Sequence, residues 1–172
     1  TGQVTRGNPD LDASNNLNFD LKYELFPSSG QLISLTGFYK NIEDPINKVQ
    51  DRGAAGVFSY FNAGEEANIY GLELETRLEV IDNETPEGLD LEVAFNASRM
   101  WHKQDLKDVF DGETFIRTFR YNNKSEIGLQ GASDWIFNGS INVSTESENP
   151  FRASLVGNYA SDKIYALGAP EA

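Results

Sequence analysis

Few residues in this sequence are of a type that does chemistry. Glu73 and Glu75 stand two apart in Tyr70-Gly-Leu-Glu-Leu-Glu-Thr-Arg-Leu-Glu-Val80, a carboxylate pairing of the sort that glycoside hydrolysis uses as acid and base. Side chains two apart on an extended chain always share a face, so the spacing follows from strand geometry and is no sign of catalysis. Asp20, Glu24 and Glu92 read in the same way, as solvated wall residues. A single histidine, His102, leaves nothing from which to assemble a His-based metal cluster or a Ser-His-Asp triad. It follows Trp101 at the mouth of a long connection and reads as an incidental loop histidine. With no cysteine there is neither a disulfide framework nor a thiolate metal site. Asp108-Val-Phe-Asp-Gly-Glu113 is acidic and holds a glycine, but lacks the ligand spacing of a calcium-binding EF-hand loop. No glycine-rich phosphate loop, His-Glu-x-x-His helix or nucleophile elbow occurs. The expectation is a protein that is not an enzyme, with no catalytic residue, no metal and no cofactor.

Binding is the chemistry that remains. Val57-Phe-Ser-Tyr-Phe61 and Phe110-Asp-Gly-Glu-Thr-Phe-Ile-Arg-Thr-Phe-Arg-Tyr121 interleave aromatic rings with two arginines. Aromatic faces beside guanidinium groups suit a catecholate or a sugar, and loop packing accounts for the same residues at least as well. The candidate ligand contacts are Phe58, Tyr60, Phe61, Phe115, Arg117, Phe119, Arg120 and Tyr121. A nucleic acid is excluded as partner. The 172 residues carry 14 Lys and Arg against 27 Asp and Glu, a net charge of −13 that repels a phosphate backbone.

The elements that must position these loops are strands. In Leu17-Asn-Phe-Asp-Leu-Lys-Tyr-Glu-Leu25 every odd position is apolar or aromatic and every even one is polar or charged; a strand puts those charges on one face, whereas a helix scatters them. The pattern recurs over 67–80, 89–102 and 134–145, and more weakly over about 31–41 and 151–161. Leu32-Ile-Ser-Leu-Thr-Gly-Phe-Tyr39 is apolar on both faces, which leaves its orientation open. Six long antiparallel strands are expected, and no helix.

The connections alternate in length. Pro27-Ser-Ser-Gly30, Asp82-Asn-Glu-Thr-Pro-Glu-Gly88 and Glu146-Ser-Glu-Asn-Pro150 have turn chemistry, whereas 42–66 and 103–131 far exceed the ~4–6 residues usual between elements. Short turns at one end and long loops at the other describe an up-and-down meander. No apolar run approaches the ~20 residues of a membrane helix. The mean hydropathy of −0.47 is that of a polar protein, yet membrane barrels also alternate polar and apolar residues and score as polar. Alternation alone fits a soluble antiparallel sandwich and a membrane barrel equally. The strand lengths match the ~9–11 residues of a transmembrane β-strand.

Particular residues break the tie. Arg6-Gly-Asn-Pro-Asp-Leu11 followed by Asn16-Leu-Asn-Phe-Asp-Leu-Lys-Tyr-Glu-Leu25 resembles a hallmark of TonB-dependent outer-membrane receptors. Ile33-Ser-Leu-Thr-Gly-Phe-Tyr-Lys-Asn-Ile-Glu-Asp-Pro-Ile46 is similar to the strand that follows in that family. Asn62-Ala-Gly-Glu-Glu-Ala-Asn-Ile-Tyr-Gly-Leu-Glu-Leu-Glu75 resembles its Asn-Ala-Gly and Tyr-Gly block. Leu129-Gln-Gly-Ala-Ser133, Asn158-Tyr159 and Lys163-Ile-Tyr-Ala-Leu-Gly168 are similar to its late strands. The blocks keep the family's order along nearly the whole chain.

The resemblance implies that residues 1–172 are part of a 22-strand barrel of a Gram-negative outer membrane, with the plug and the last strands outside this stretch. It implies TonB-energised uptake of a scarce, large cargo: a siderophore, cobalamin, haem or a glycan. The partners would be outer-membrane lipid, that cargo, and the TonB complex acting through the plug. The alternative function is a soluble antiparallel β binding or adhesin module. In the barrel reading Leu17, Phe19, Leu21, Leu25, Leu72, Leu74, Leu78, Leu89, Leu91, Val93 and Phe95 face lipid. Asp20, Glu24, Glu73, Glu75, Arg77 and Glu92 face the lumen, where mixed signs allow cross-strand ion pairs. Tyr39, Tyr70, Trp101, Trp135 and Tyr159 fall near strand ends, where an aromatic girdle sits. Six strands cannot close, since the smallest membrane barrels use ~8, so an open sheet with unpaired edges is expected.

Overall fold

The computed structural model describes residues 2–52, 56–83, 85 and 88–170. Parts of the turn expected at 82–88 (Glu84, Pro86, Glu87) and the terminal Glu171 and Ala172 lie outside the described residues, as do Gly53, Ala54 and Ala55 in the first long loop. In chain order the strands are β1 (Val4–Thr5), β2 (Asn15–Leu25), β3 (Leu32–Glu43), β4 (Ile46–Gln50), β5 (Val57–Asn62) and β6 (Glu66–Ile81). There follow β7 (Asp90–Asp105), β8 (Asp108–Asp111), β9 (Thr114–Thr118), β10 (Glu126–Ile127), β11 (Trp135–Ser144) and β12 (Arg152–Ala160).

The six long alternating segments form one antiparallel meander in the order β12-β11-β7-β6-β3-β2. Each strand pairs with the next long strand in sequence, as short turns and hairpin connections require. The pairing register fixes the faces. Leu21, Gly37 and Leu72 lie side by side, and beyond them Leu35, Leu74 and Ala97. On the opposite face Lys22, Thr36 and Glu73 make the matching row, which Ser98 continues.

The apolar face stays open. Leu17, Phe19, Leu21 and Tyr23 are between 67% and 71% exposed, and Leu72, Leu74, Trp101, Trp135, Leu155 and Tyr159 are exposed as well. A soluble sandwich would bury this face against a second sheet, and none covers it among the described residues. Every residue of the two edge strands, β2 and β12, is exposed. The sheet is therefore open at both edges, as expected for six strands that cannot close on themselves.

The two-faced segment 32–39 is resolved by the register. Leu35 and Tyr39 point to the exposed apolar face. Phe38 points to the polar face because it lies over Gly71 on the neighbouring strand; a Cβ on Gly71 would collide with the Phe38 ring and with the Arg99 carbonyl. An aromatic ring covering a cross-strand glycine is a known device for pinning a sheet's register.

The hydrophobic core is elsewhere. Val49, Ala63, Leu106, Phe119 and Leu167 are buried together, with Phe61, Val109, Tyr121, Ile127 and Ile164 packed around them. They belong to the long connections at one end of the meander and to the segment that follows β12. The long loops, read from the sequence only as long connections, fold together with the segment before β2 into a layer of their own: a three-stranded sheet β1-β5-β4 and a hairpin β8-β9. The strand β7 also runs further than the alternation suggests, to Asp105, so His102 is a strand residue and not the loop histidine expected.

Candidate functional site

The residues that the sequence offers as ligand contacts all lie in the loop layer, on β5, on β9 and just after β9, and they divide within it. The segment Arg6–Asp12 is tied along β5, which gives the loop layer its frame. Arg6 N–H donates to the Phe58 carbonyl at 2.8 Å, Asn8 Nδ2 donates to the Tyr60 carbonyl at 2.9 Å, and Asp12 N–H donates to Asn62 Oδ1 at 2.9 Å. Asn62 returns its Nδ2 to the carbonyls of Asp12 and Asp44. One carboxamide thus joins three segments.

Phe119 is only 1% exposed and forms part of the core, with its ring 5.7 Å from that of Phe61. Tyr121 donates its hydroxyl to the Gly168 carbonyl at 2.6 Å. Arg120 donates its Nε to the Leu106 carbonyl and pairs with Asp108. Phe115 packs edge-on against Phe110 at the tip of the β8-β9 hairpin. Phe58 meets Tyr165 edge-on, with Lys48 Nζ 4.5 Å above the Phe58 ring. Tyr60 is partly exposed on β5.

Phe61 and Arg117 come together. The guanidinium carbon lies 5.1 Å above the Phe61 ring, and a cavity opens on each side of this pair. The first, about 240 Å³, is floored by Phe61, Val109 and Phe119 and rimmed by Asp10, Asp12, Lys107 and Arg117. The second, also about 240 Å³, is lined by Asp51, Arg52, Ile116 and Pro170 beside the same pair.

Sequence reasoning missed several residues that hold the layer in place. Gln130 accepts the Lys48 N–H at 2.8 Å through Oε1 and donates Nε2 to the carbonyls of Lys48 and Tyr165, pairing with β4 much as a strand residue would. Leu167 continues that edge: its N–H donates to the Lys48 carbonyl and its carbonyl accepts from Gln50. The block Leu129–Ser133 signals this position only through the family resemblance. Lys48 Nζ also donates to the Tyr165 hydroxyl at 2.7 Å, and its ammonium holds the phenol below the usual tyrosine value.

His102 Nδ1 accepts the Leu129 N–H at 3.0 Å, so the neutral ring carries its proton on Nε2. That buried Nε2 sits 3.0 Å from Asp134 Oδ1 but off the line of a hydrogen bond. Asp134 is held instead by Arg99 at 3.1 Å, whose hydrogen bond keeps the carboxyl below its ordinary value. Arg99 lies between two indoles, 4.9 Å from Trp101 and 5.0 Å from Trp135. Tyr70 stacks on Trp101 in the same band, which places expected girdle residues side by side.

On the polar face of the sheet, Ser98 Oγ donates to Glu73 at 2.9 Å, Asn142 bridges Glu92 and Ser154, and Lys22 pairs with Glu24 and Glu75. These carboxylates are held as wall residues. Among the described residues no group of three or more His, Cys, Asp or Glu side chains converges on a metal position.

A family model described as TonB dependent receptor-like, beta-barrel matches residues 1–168. No curated protein and no solved structure matches the chain.

Proposed function

The chain belongs to the TonB-dependent receptor β-barrel family, an outer-membrane family of Gram-negative bacteria, and from that premise we propose that it supplies six wall strands and the outer loop layer of an energised importer. The cargo is a scarce, large ligand of the siderophore, cobalamin, haem or glycan kind. Further wall strands pair with the open edges of β2 and β12, and a plug fills the polar side of the sheet and couples it to TonB.

One observation carries this reading. The sheet exposes its apolar face while the only buried cluster among the described residues lies in the loop layer. Apolar surface of that extent is stable against lipid and a liability in water. On the polar face Glu24, Glu73, Glu75 and Glu92 each have a partner within the sheet, which suits a water-filled or plug-filled lumen. A soluble binding module would need the reverse arrangement, with its core beneath the sheet.

The test is uptake by cells expressing the whole receptor, offered radiolabelled ferric siderophore, cyanocobalamin, haemin and maltohexaose in turn. Accumulation of one of them, abolished by deletion of TonB or by a protonophore, is the expected result. Accumulation that persists without TonB, or none for any of the four, overturns the proposal.

A further inference from the structure

His102, the single histidine of the chain, stands at a joint between the wall and the loop layer. The chain after β10 is anchored to β7 at two points. Ile127 pairs with Gln104, and the Met100 N–H donates to the Asp134 carbonyl at 2.9 Å. Between these anchors residues 128–133 leave the wall as a strap, and His102 lies midway beneath it. A Cβ placed on Gly128 would come within 3.3 Å of the ring's Cε1 and 3.4 Å of its Nδ1. Leu129 donates its N–H to Nδ1 at 3.0 Å. The next residues reach the loop layer. Gln130 holds both main-chain groups of Lys48 on β4, and the Gly131 N–H donates to the Ile164 carbonyl. One ring nitrogen thus fixes to the wall the strap that closes the edge of β4.

That bond requires an Nδ1 without a proton. Imidazole is the side chain that changes charge between pH 5 and 8. A second proton on the ring turns Nδ1 into a donor that faces the Leu129 N–H, another donor. The side chain is 10% exposed, so water has little room to satisfy either group. A buried donor left without an acceptor is costly, and the strap must move away. Asp134 pulls in the opposite direction. Its Oδ1 lies 3.0 Å from Nε2, where the neutral ring makes no hydrogen bond with it. A charged ring gains a carboxylate at close range there. Leu129 therefore favours the neutral ring and Asp134 the charged one.

Two cations on this side resist the charge. Arg99 is offset by Asp134, which it meets through both the carboxylate and the carbonyl. Lys40 stands two strands away, beyond Ile69 in the same register row, a distance of ~10 Å. Lys103 and Glu126 pair with each other, and Lys103, next to His102 along the strand, points to the other face. The segment after β12 brings Ile164 against Gly128. We propose that His102 is a pH latch: protonation of its ring releases residues 128–131 from β7, and with them the clamp of Gln130 on β4, so that the loop layer loosens in acid. The latch goes beyond the importer reading and needs neither cargo nor TonB.

Hydrogen exchange of the full-length receptor in detergent tests it, compared at about pH 8 and about pH 5 after correction for the intrinsic pH dependence of exchange. In the wild type, amides of 128–131, 46–50 and 164–168 are expected to lose protection by about tenfold at the lower pH, the worth of roughly one buried hydrogen bond. Those of β11 and β12 should keep theirs. His102→Asn sets a carboxamide oxygen near the place of Nδ1, an acceptor that does not titrate, and should make protection equal at both pH values. Asp134→Asn removes the carboxylate facing Nε2 but keeps the carbonyl that Arg99 binds, and should move the loss to lower pH. Heat-modifiable migration on gels verifies that each variant keeps its barrel. Equal protection at both pH values in the wild type overturns the latch, as does an undiminished fall in His102→Asn or a fall shared by the whole sheet. Should His102→Asn fail to fold, Asp134→Asn decides: an unmoved onset overturns the latch, and a lower one supports it. Uptake plays no part in this readout, so a failed importer and a failed latch are told apart.

Discussion

Asn47 on β4 and Gln104 on β7 exchange two hydrogen bonds, Asn47 Nδ2 to Gln104 Oε1 at 2.8 Å and Gln104 Nε2 to Asn47 Oδ1 at 2.9 Å. Each side chain is 1% exposed. Gln104 belongs to the wall and Asn47 to the loop layer, so this reciprocal pair is a buried polar joint between them. Replacing either residue alone by alanine leaves a buried carboxamide without its partner, at a cost of ~1–3 kcal/mol. Gln104→Leu combined with Asn47→Leu should cost clearly less than the sum of the single alanine changes. Hydrogen exchange over residues 46–62 of the full-length receptor reads the effect: faster exchange in each single variant, partial recovery in the double. Equal protection in all of them would show that the joint does not hold the layer.

Gly71 is constrained from two sides, by the Phe38 ring and by the Arg99 carbonyl. Backbone cannot give way as a flexible side chain can, so Gly71→Ala forces a shift of the β6-β7 pairing, an overpacking cost of ~1–3 kcal/mol. Phe38→Ala in the same chain removes only half of the obstruction and should rescue only in part. The folded fraction, measured by heat-modifiable gel migration after refolding into detergent, is expected to fall for Gly71→Ala. An unchanged fraction would mean that the strands separate more easily than their register suggests.

The wall was legible from sequence because one periodicity encodes it. Residues such as Leu17 and Phe19 against Asn18 and Asp20 repeat every two positions, because a strand with one apolar and one polar face carries that repeat along its whole length. The loop layer has no such rule. Val57–Asn62 reads as a cluster of aromatics, yet it is a central strand whose neighbours are the distant segments 4–5 and 46–50. Phe119 and Arg117, two residues apart on β9 and its end, have the same aromatic-plus-arginine signature and opposite fates, one in the core and one over a cavity. What separates them is which neighbour closes over each, and that is set by contacts such as Asn62 with Asp12 and Gln130 with Lys48, far apart along the chain.

The two faces of β6 should respond differently to charge. Leu74 lies on the exposed apolar face between Leu35 and Ala97, and Glu73 on the polar face accepts from Ser98. With lipid against the first face, Leu74→Arg should cost ~2–4 kcal/mol near the midplane. Glu73→Gln keeps an acceptor for Ser98 and should change stability little. Denaturant titration of the receptor folded in lipid vesicles makes the comparison. Equal tolerance of both changes would indicate that this face does not meet the hydrocarbon.

Tyr165 gives a pH signature for the loop layer. The Lys48 ammonium, hydrogen-bonded to its hydroxyl, lowers the folded-state pKa below the usual value of 10.0. A depressed pKa means that the folded state releases the proton more readily than the unfolded chain does. The resulting stabilisation is absent at neutral pH, appears as pH rises through the folded-state value, and is complete only above the unfolded one. Phenolate absorbance of the wild type minus that of Tyr165→Phe should therefore rise at a lower pH than free tyrosine does. Lys48→Met should return the difference curve to the ordinary position. Coincident curves with and without Lys48 would show that the ammonium does not govern this hydroxyl, and with it that β4 is not held against the 161–168 segment in the way the hydrogen bonds from Gln130 and Leu167 describe.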